Sequence, residues 1–289
     1  CDSVSAAGSP MFDAVLTVET GQRRAFVIAP KSDAARAPLA RVDRLQTITR
    51  AFWEQWCNRC CYQGSYDDMV KRSALVLKAL TFAPSGAIVP APTTSLPEEA
   101  GGIRNWDYRF SWLRDSSFVL QALAALGYSG EAKRYCEFLG MCCEQAFPEM
   151  HILYGITSEV ELDERLLDHV EGYEGASPVR VGNAAHMQKQ VDIYGELADW
   201  ALTYHTLGGP VDPTLEAMVR EAANHVAEHW RKSDQGIWEM RGDPRPHVHG
   251  KAMAWARSQS GLGSCAGGSS GGRFNAGGRS PRRAFGAGF

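Results

Sequence analysis

Residues 102–116 read Gly-Ile-Arg-Asn-Trp-Asp-Tyr-Arg-Phe-Ser-Trp-Leu-Arg-Asp-Ser, a charged and aromatic segment that runs into an apolar helical pattern. Apolar residues recur at helical spacing between Asp115 and Leu126, and Gly127 follows as a stop signal. Aromatic faces stack on sugar rings, and forked Arg and Asp side chains bind vicinal hydroxyls. The segment therefore predicts a sugar-binding loop at a helix N-terminus. The alternative is an ordinary ion pair at the helix start, which accounts for Arg114 and Asp115 but not for the aromatic residues.

Helical patterns dominate the rest of the chain. Periodic apolar residues predict helices over 43–59, 66–82, 115–126, 130–147, 185–207 and 213–230. Two long connecting segments, 83–113 and 148–184, are too aromatic for disorder and longer than ordinary loops. Residues 13–29 alternate around a turn and predict a β-hairpin. Together these patterns indicate a mainly α protein, a helical toroid whose loops build a site at one end.

Composition excludes several functional classes. The 289 residues carry 30 Lys and Arg against 33 Asp and Glu, so overall charge gives no reason to expect a nucleic acid or a membrane surface as partner. The sequence has no apolar run of about 18 residues, which excludes a transmembrane helix. The overall charge balance conceals an uneven distribution along the chain, because Asp243 is the last acidic residue and seven basic residues follow it. We interpret the chain as an acidic body with a basic end.

The eight cysteines do not form a disulfide pattern. Cys57, Cys60 and Cys61 are clustered, as are Cys142 and Cys143. Free thiols in a reducing cytoplasm are the simplest interpretation, and we expect a cytoplasmic protein without metal or cofactor. A zinc site from these two clusters is a minor alternative, since the spacing around Cys142 does not fit a zinc knuckle.

A second motif, Asp-Gln-Gly-Ile-Trp-Glu at residues 234–239, ends on a candidate catalytic carboxylate. An apolar wall formed by Trp238 would raise the pKa of Glu239 and suit a general acid near neutral pH. The alternative is a solvated surface glutamate. A third pattern, His225-Val-Ala-Glu228-His229, fits the H-x-x-E-H pattern of zinc peptidases. Five-residue patterns of this kind arise often by chance, and a polar helix face is the stronger interpretation.

In this order and at this separation, the first two motifs resemble bacterial glycoside hydrolase family 15, the glucoamylase-like enzymes that include trehalases and glucodextranases. The resemblance extends from about Phe26 to about Trp255. Its matching segments are 86–98, 105–115, 178–183, 192–196, 229–231 and 236–239.

The resemblance implies a fold and a domain order. Residues 1–40 would be the end of an N-terminal β-sandwich, 41–65 a linker helix, and 66–257 the N-terminal part of an (α/α)6 catalytic barrel. Residues 258–289 are rich in Gly, Ser and Arg, and we expect them to be a disordered tail. A genuine linker and coding DNA read in a shifted frame both fit the tail's composition.

The resemblance also implies an inverting, metal-independent exo-hydrolysis of α-glucosidic bonds, with Glu239 as general acid. The other implied residues surround the terminal glucose: Arg114 and Asp115 bind its hydroxyls, Tyr108 and Trp112 wall the subsite, Trp238 lines the cleft, and Arg180 and Asn183 lie at its rim. An inverting enzyme also needs a second carboxylate as base. The family places it well beyond the matching segment, where this sequence has no acidic residue.

We therefore expect a chain truncated at both ends that has little or no activity alone. The expected partner is an α-glucoside or oligosaccharide, and the oligomeric state stays open. Two alternatives to a glucoamylase-like parental activity are trehalase-type hydrolysis of α,α-trehalose and a non-catalytic sugar-binding remnant. Glucoamylases and trehalases share the glucose subsite and differ in the subsite for the leaving group.

Overall fold

The computed structural model describes residues 15–25, 39–147, 149–210 and 213–259, and it is mainly helical, as predicted. The helices of these residues form no closed barrel, and none is long and apolar enough to cross a membrane. They are α1 (Leu39–Cys57), α2 (Asp67–Ala79), α3 (Leu113–Ala125), α4 (Gly130–Ala146), α5 (Asp192–Thr206), α6 (Pro213–His229) and α7 (Val248–Gln259).

Four short strands lie in the two long aromatic segments. They are β1 (Ser111–Trp112), β2 (Leu153–Tyr154), β3 (Arg165–Leu167) and β4 (Val179–Val181). β1 pairs antiparallel with β2, placing Trp112 opposite Leu153, and β3 pairs antiparallel with β4, placing Leu166 opposite Arg180. The β1–β2 pairing fixes the two segments against each other next to the start of α3, and the β3–β4 pairing folds the second segment on itself.

The chain divides after Arg59 into two units. In the first unit, residues 15–25 form a turn closed by a 2.9 Å bond from Gln22 N–H to the Glu19 carbonyl. This described stretch contains no strand, and Val15 is 93% exposed. An isolated two-stranded ribbon buries too little apolar surface to be stable. The rest of the predicted 13–29 hairpin lies outside the described residues, and the sandwich remnant stays a prediction.

α1 follows this turn and corresponds to the helix predicted over 43–59. Phe52 and Trp53 meet edge to face with ring centroids 5.2 Å apart, and Trp53 and Trp56 do so at 6.5 Å. Trp56 is buried. The aromatic spacing in the sequence is thus one packed row on α1.

In the second unit, the helices form two packed layers. α3, α5 and α7 lie side by side with α5 in the middle, and we call them the site layer. α4 and α6, which we call the back layer, pack against each other; α4 also packs on α3, and α6 packs on α5 and α7. The remaining helix, α2, packs on α3.

α5 is the centre of this packing. Trp200 is 1% exposed, stacks on Tyr204 with ring centroids 5.6 Å apart, and meets Tyr135 of α4 edge to face at 6.0 Å. On the other side, Gly195 allows close approach to α7, because a Cβ there would lie 2.8 Å from the Cβ of Met253. The aromatic residues and the glycine together hold α5 between its neighbours.

Two predicted boundaries differ from the structure. The helix predicted over 185–207 begins only at Asp192, because residues 184–187 form a separate 3-10 turn. The Asn183 side chain caps this turn by accepting from Ala185 N–H at 3.0 Å. The tail predicted from residue 258 starts inside α7, which continues to Gln259, and the rest of the predicted tail lies outside the described residues.

Candidate active site

The two sequence motifs meet at the N-terminal end of the site layer. Trp112 Nε1–H donates to Glu239 Oε1 at 2.7 Å, and Arg114 Nη2 lies 3.3 Å from the same oxygen. Arg114 also donates to the Ile237 carbonyl at 3.1 Å. Residues more than 120 positions apart in the sequence therefore form one cluster around a single carboxylate.

A tight turn over residues 234–239 presents this carboxylate. Asp234 is buried, and its side chain accepts from Gly236 N–H at 3.1 Å and from Val191 N–H at 3.0 Å. The turn is therefore fastened to the start of α5. Glu239 has a positive φ of 54°, a strained backbone conformation for a residue other than glycine. Strain of this kind persists where surrounding contacts hold the backbone. Here the contacts from Trp112 and Arg114 hold the Glu239 side chain in one direction.

Burial dominates the electrostatics of Glu239. It raises the pKa of this carboxyl above the ordinary glutamate value of 4.5, while the Arg114 charge and the bond from Trp112 act in the opposite direction. The side chain is 20% exposed, so a ligand can still reach it. A partly accessible carboxyl with a raised pKa is suited to donate a proton.

The predicted partners of Glu239 surround it. Asp115 Oδ2 accepts from Arg114 Nη2 at 3.2 Å and keeps 34% of its side chain exposed. The Tyr108 ring lies 6.1 Å from the Trp112 ring, and its hydroxyl donates to Glu98 at 3.4 Å. Burial and the charges of Glu98 and Glu239 raise the pKa of Tyr108 to about 12, so this hydroxyl stays protonated.

Trp238 lies beside the acid in sequence but projects into solvent, with 83% of the residue exposed. It forms no part of the wall around Glu239 that the sequence predicts for it. The apolar wall is Trp112 instead, which is only 3% exposed. An exposed indole ring one residue from the acid is free to stack on a sugar, and its role in lining the cleft stays a prediction.

Arg180 and Asn183 belong to a network that holds the loops together. Arg180 Nε donates to Glu164 at 3.1 Å, and its guanidinium lies 4.5 Å from the centre of the Trp106 ring. Arg241, two residues after the acid, contacts the same carboxylate at 3.1 Å and the same ring at 4.7 Å. The buried Asn183 donates to the Asp107 carbonyl at 3.3 Å. Both predicted rim residues are thus already bound to protein groups.

Sequence reasoning missed residues that hold the site by long-range contacts. Gln188 Nε2 donates to the carbonyls of Glu239 at 3.2 Å and Met240 at 3.3 Å, and so supports the strained turn. Asp107 is fully buried and accepts from Arg109 Nε and from Gly182 N–H. Asp107 lies inside the quoted aromatic segment, where an acidic residue between two large rings was the available signal. Gln188 gives no such signal.

The H-x-x-E-H pattern lies on α6, in the back layer. The rings of His225 and His229 stack at 4.2 Å, His225 also stacks on Tyr194 at 4.7 Å, and Glu228 is exposed. In the part of the chain that the structure describes, no three side chains of His, Cys, Asp and Glu are placed as metal ligands. The geometry gives no support to the peptidase alternative.

Comparison with known proteins matches the same segment. The profile of the glycosyl hydrolases family 15 matches residues 64–266, most of the chain. The chain belongs to this family. The family 15 match extends past residue 257, where the sequence analysis ends the catalytic segment.

Three relatives illustrate the similarity. A trehalase of Thermoplasma volcanium is 41% identical over 221 residues, which are 76% of this chain and 35% of that protein. A trehalase of Mycobacterium tuberculosis is 39% identical over 215 residues, covering 72% of this chain and 31% of the relative. Trehalase 1 of Sulfolobus acidocaldarius is 36% identical over 235 residues, which are 78% of this chain and 41% of that protein.

The chain thus spans about a third of the length of the curated relatives that it matches. No solved structure matches it significantly.

Proposed function

We propose that this chain binds the terminal glucose of an α-glucoside and carries the general acid of its inverting hydrolysis, with Glu239 as that acid. The observation that carries the proposal is the 2.7 Å bond from Trp112 Nε1–H to the carboxylate of Glu239, which is largely but not fully buried and whose pKa burial raises. Membership of family 15 supports the same reaction class.

The roles of the surrounding residues follow from their chemistry. Protonated Glu239 donates its proton to the glycosidic oxygen as the bond to the sugar carbon breaks. Arg114 and Asp115 present a forked donor and an acceptor that match neighbouring hydroxyls of one glucose. The Tyr108 ring, backed by the buried Trp112 ring, supplies an apolar wall for the sugar face, and the exposed Trp238 ring supplies a second stacking surface.

An inverting reaction needs a second carboxylate, about 6.5–9.5 Å from the acid, to activate water on the opposite face of the sugar. The resemblance to family 15 implies a base beyond the segment that resembles the family, and no acidic residue follows Asp243 in this sequence. We therefore expect the 289-residue chain to bind sugar but to hydrolyse it very slowly. Rapid turnover of trehalose or maltose by this chain would contradict that expectation.

For the leaving group, we propose a second glucose joined as in α,α-trehalose. The three relatives described above are named trehalases, and each is 36–41% identical to this chain. A glucoamylase-like preference for α-linked glucose chains is the alternative from the sequence analysis. Calorimetric titration with trehalose and maltose separates the two, because a trehalase-type site binds trehalose more tightly.

The proposal is tested by titrating two tryptophan variants with trehalose. Trp112→Phe keeps an aromatic ring but removes the donor that holds Glu239 in position, so we expect trehalose affinity to fall by about three- to tenfold, as for the loss of one hydrogen bond. Trp255→Phe is the matched control, since that ring lies on α7 and is 45% exposed. Equal affinities in the wild type and both variants, or no binding at all, would overturn the proposed site.

A further inference from the structure

α5 carries two buried carboxylates that the proposed reaction does not use. Asp192 lies in its first turn and Glu196 one helical turn later, and each residue is only 1% exposed. None of their four carboxylate oxygens has a hydrogen-bond partner among the described residues. Side chains four residues apart on a helix are neighbours, so these two groups form a pair.

The pair lies behind the candidate active site. Ser117 Oγ of α3 donates to the Glu196 carbonyl at 3.4 Å, which places this turn of α5 against the helix that carries Arg114. The Arg114 charge acts on both carboxylates and favours their ionised forms. Arg114 is therefore the cation shared by the pair and by the acid Glu239.

The other charged groups around the pair come from four elements. Asp199 lies on α5 itself, Asp115 on α3, Asp234 on the turn before Glu239, and His249 on α7, with its Nδ1 3.6 Å from Asp192 Oδ2. Three of these four are acidic. One arginine thus faces an excess of carboxyl groups, of which Asp192, Glu196 and Asp234 are buried.

A buried carboxylate without partners is costly, and such groups keep a proton instead. Burial is the first cause at both positions, and the Asp192 charge is the next cause at Glu196. Together they raise the pKa of Glu196 from 4.5 to about 7. The pKa of Asp192 is also raised, and the positive charge of Arg114 opposes that change.

We propose that Asp192 and Glu196 retain one proton between them, and that this proton keeps Arg114 directed at the sugar site. Glu196 is then a positioning residue, which acts through Arg114 and does not touch the substrate. The positioning role rests on the proposed function, whereas the retained proton does not.

The direction of the effect follows from Coulomb attraction. When Glu196 ionises, a full negative charge without partners appears behind Arg114. It competes for the guanidinium with the Ile237 carbonyl, Asp115 and Glu239, which now hold it at 3.1–3.3 Å. Arg114 then binds sugar hydroxyls less well.

The first test measures unfolding by urea between pH 4.5 and pH 8. Because the folded chain keeps a proton that the unfolded chain releases, the folded-to-unfolded ratio falls as pH rises towards 7, by about tenfold per pH unit for one group. Glu196→Gln replaces the neutral carboxyl with a neutral amide and removes this loss. Glu221→Gln makes the same change at an exposed position of α6 and retains it.

The second test follows tryptophan fluorescence during titration with trehalose at pH 6 and pH 8. We expect the wild type to bind about three- to tenfold more weakly at pH 8, since part of a charged hydrogen-bond set is lost. Glu196→Gln should show a smaller loss between these pH values, and Glu221→Gln should follow the wild type.

Each outcome decides one part of the proposal. Parallel stability curves for the wild type and Glu196→Gln would overturn the retained proton. A stability difference combined with superimposed affinity profiles would overturn the positioning of Arg114. Absence of trehalose binding in the wild type at every pH would count against the proposed function and the positioning role, and the stability curves would then decide the proton alone.

A second variant keeps the test decisive where Glu196→Gln does not fold. Asp192→Asn removes the neighbouring negative charge, so Glu196 ionises more easily and the loss of stability ends at a lower pH. An unchanged end point in Asp192→Asn would contradict the coupling between the two carboxylates.

Discussion

Glu239 and Glu228 both belong to sequence patterns typical of catalytic carboxylates, but Glu239 lies on a turn beside the site layer and Glu228 lies in the back layer. Glu239 is held beside the site layer by a strained turn, accepts from Trp112 and has a pKa raised by burial. Glu228 lies on α6 of the back layer and is exposed. The comparison teaches that burial and fixed donors, rather than the motif alone, distinguish a candidate acid from a solvated side chain.

The largest expected effect concerns the centre of the site layer. Trp200→Ala should destabilise the fold by about 3–5 kcal/mol, because a large side chain that is 1% exposed is lost together with its ring contacts. Leu202→Ala lies on the same helix, but that side chain is 42% exposed, and it should cost about 0.5 kcal/mol or less. Urea unfolding measures both, and equal losses would show that α5 is not buried as described.

The next effect compares Arg114 of the candidate site with Arg220 of the back layer. Arg114→Lys should weaken trehalose binding by about tenfold or more, because lysine cannot reproduce the fork that contacts Ile237, Asp115 and Glu239. Arg220→Lys in the back layer should leave affinity unchanged, since that side chain is 59% exposed and pairs with Glu216 of the same helix. Calorimetry decides this, and a similar effect of both changes would remove the distinction between the layers.

Substitution of two glycines by alanine should change the stability of the fold in opposite directions. Gly195→Ala in α5 should destabilise by about 1–3 kcal/mol, because the new methyl group would lie 2.8 Å from Met253. Gly140→Ala in α4 has open space around it and should stabilise by about 0.5–1 kcal/mol through better helix propensity. Thermal unfolding reports both changes. Destabilisation of equal size at both positions would contradict the close approach of α5 and α7.

The smallest effect is a contrast in pH dependence. The raised pKa of Glu239 means that the folded chain binds more protons, so its contribution to stability is lost as pH rises above 4.5. The pKa of His225 is lowered by burial and by His229, so its contribution rises as pH rises towards 6.5. Urea unfolding at several pH values should show that Glu239→Gln and His225→Gln each remove one of these opposite slopes. If stability depends on pH in the same way in the wild type and in both variants, the raised pKa of Glu239 and the lowered pKa of His225 are contradicted.

Much of the fold follows from local patterns in the sequence. The helices α3, α4 and α6 appear close to the predicted ranges, because amphipathic spacing and glycine stops act within a few residues, whereas α7 has no counterpart among those ranges. The predicted start of α5, at residue 185, was wrong, because the helix begins at Asp192. Asn183 caps a separate 3-10 turn before the helix. The helix itself begins at Asp192, whose Oδ2 lies 3.6 Å from Nδ1 of His249 on α7. Contacts across the fold decide such boundaries.

The candidate site was predicted in its types of residue but not in its connections. Trp112, Arg114 and Glu239 lie together, whereas Trp238 is exposed and Arg180 is bound to Glu164, and the roles of all five stay predictions. The support from Gln188 was invisible, because it depends on which distant segments meet. The spacing of Asp192 and Glu196 is visible in the sequence, but their burial is not. Sequence spacing identifies the chemistry of a site better than its support.

The most direct measurement is an NMR titration of the Glu239 side-chain carboxyl carbon, assigned by its absence in Glu239→Gln, with and without trehalose. The proposed site predicts that this carbon titrates above the ordinary glutamate range and that its resonance shifts when trehalose binds. Titration near 4.5, with no response to the sugar, would contradict the proposal that Glu239 is a protonated acid at a glucose-binding site.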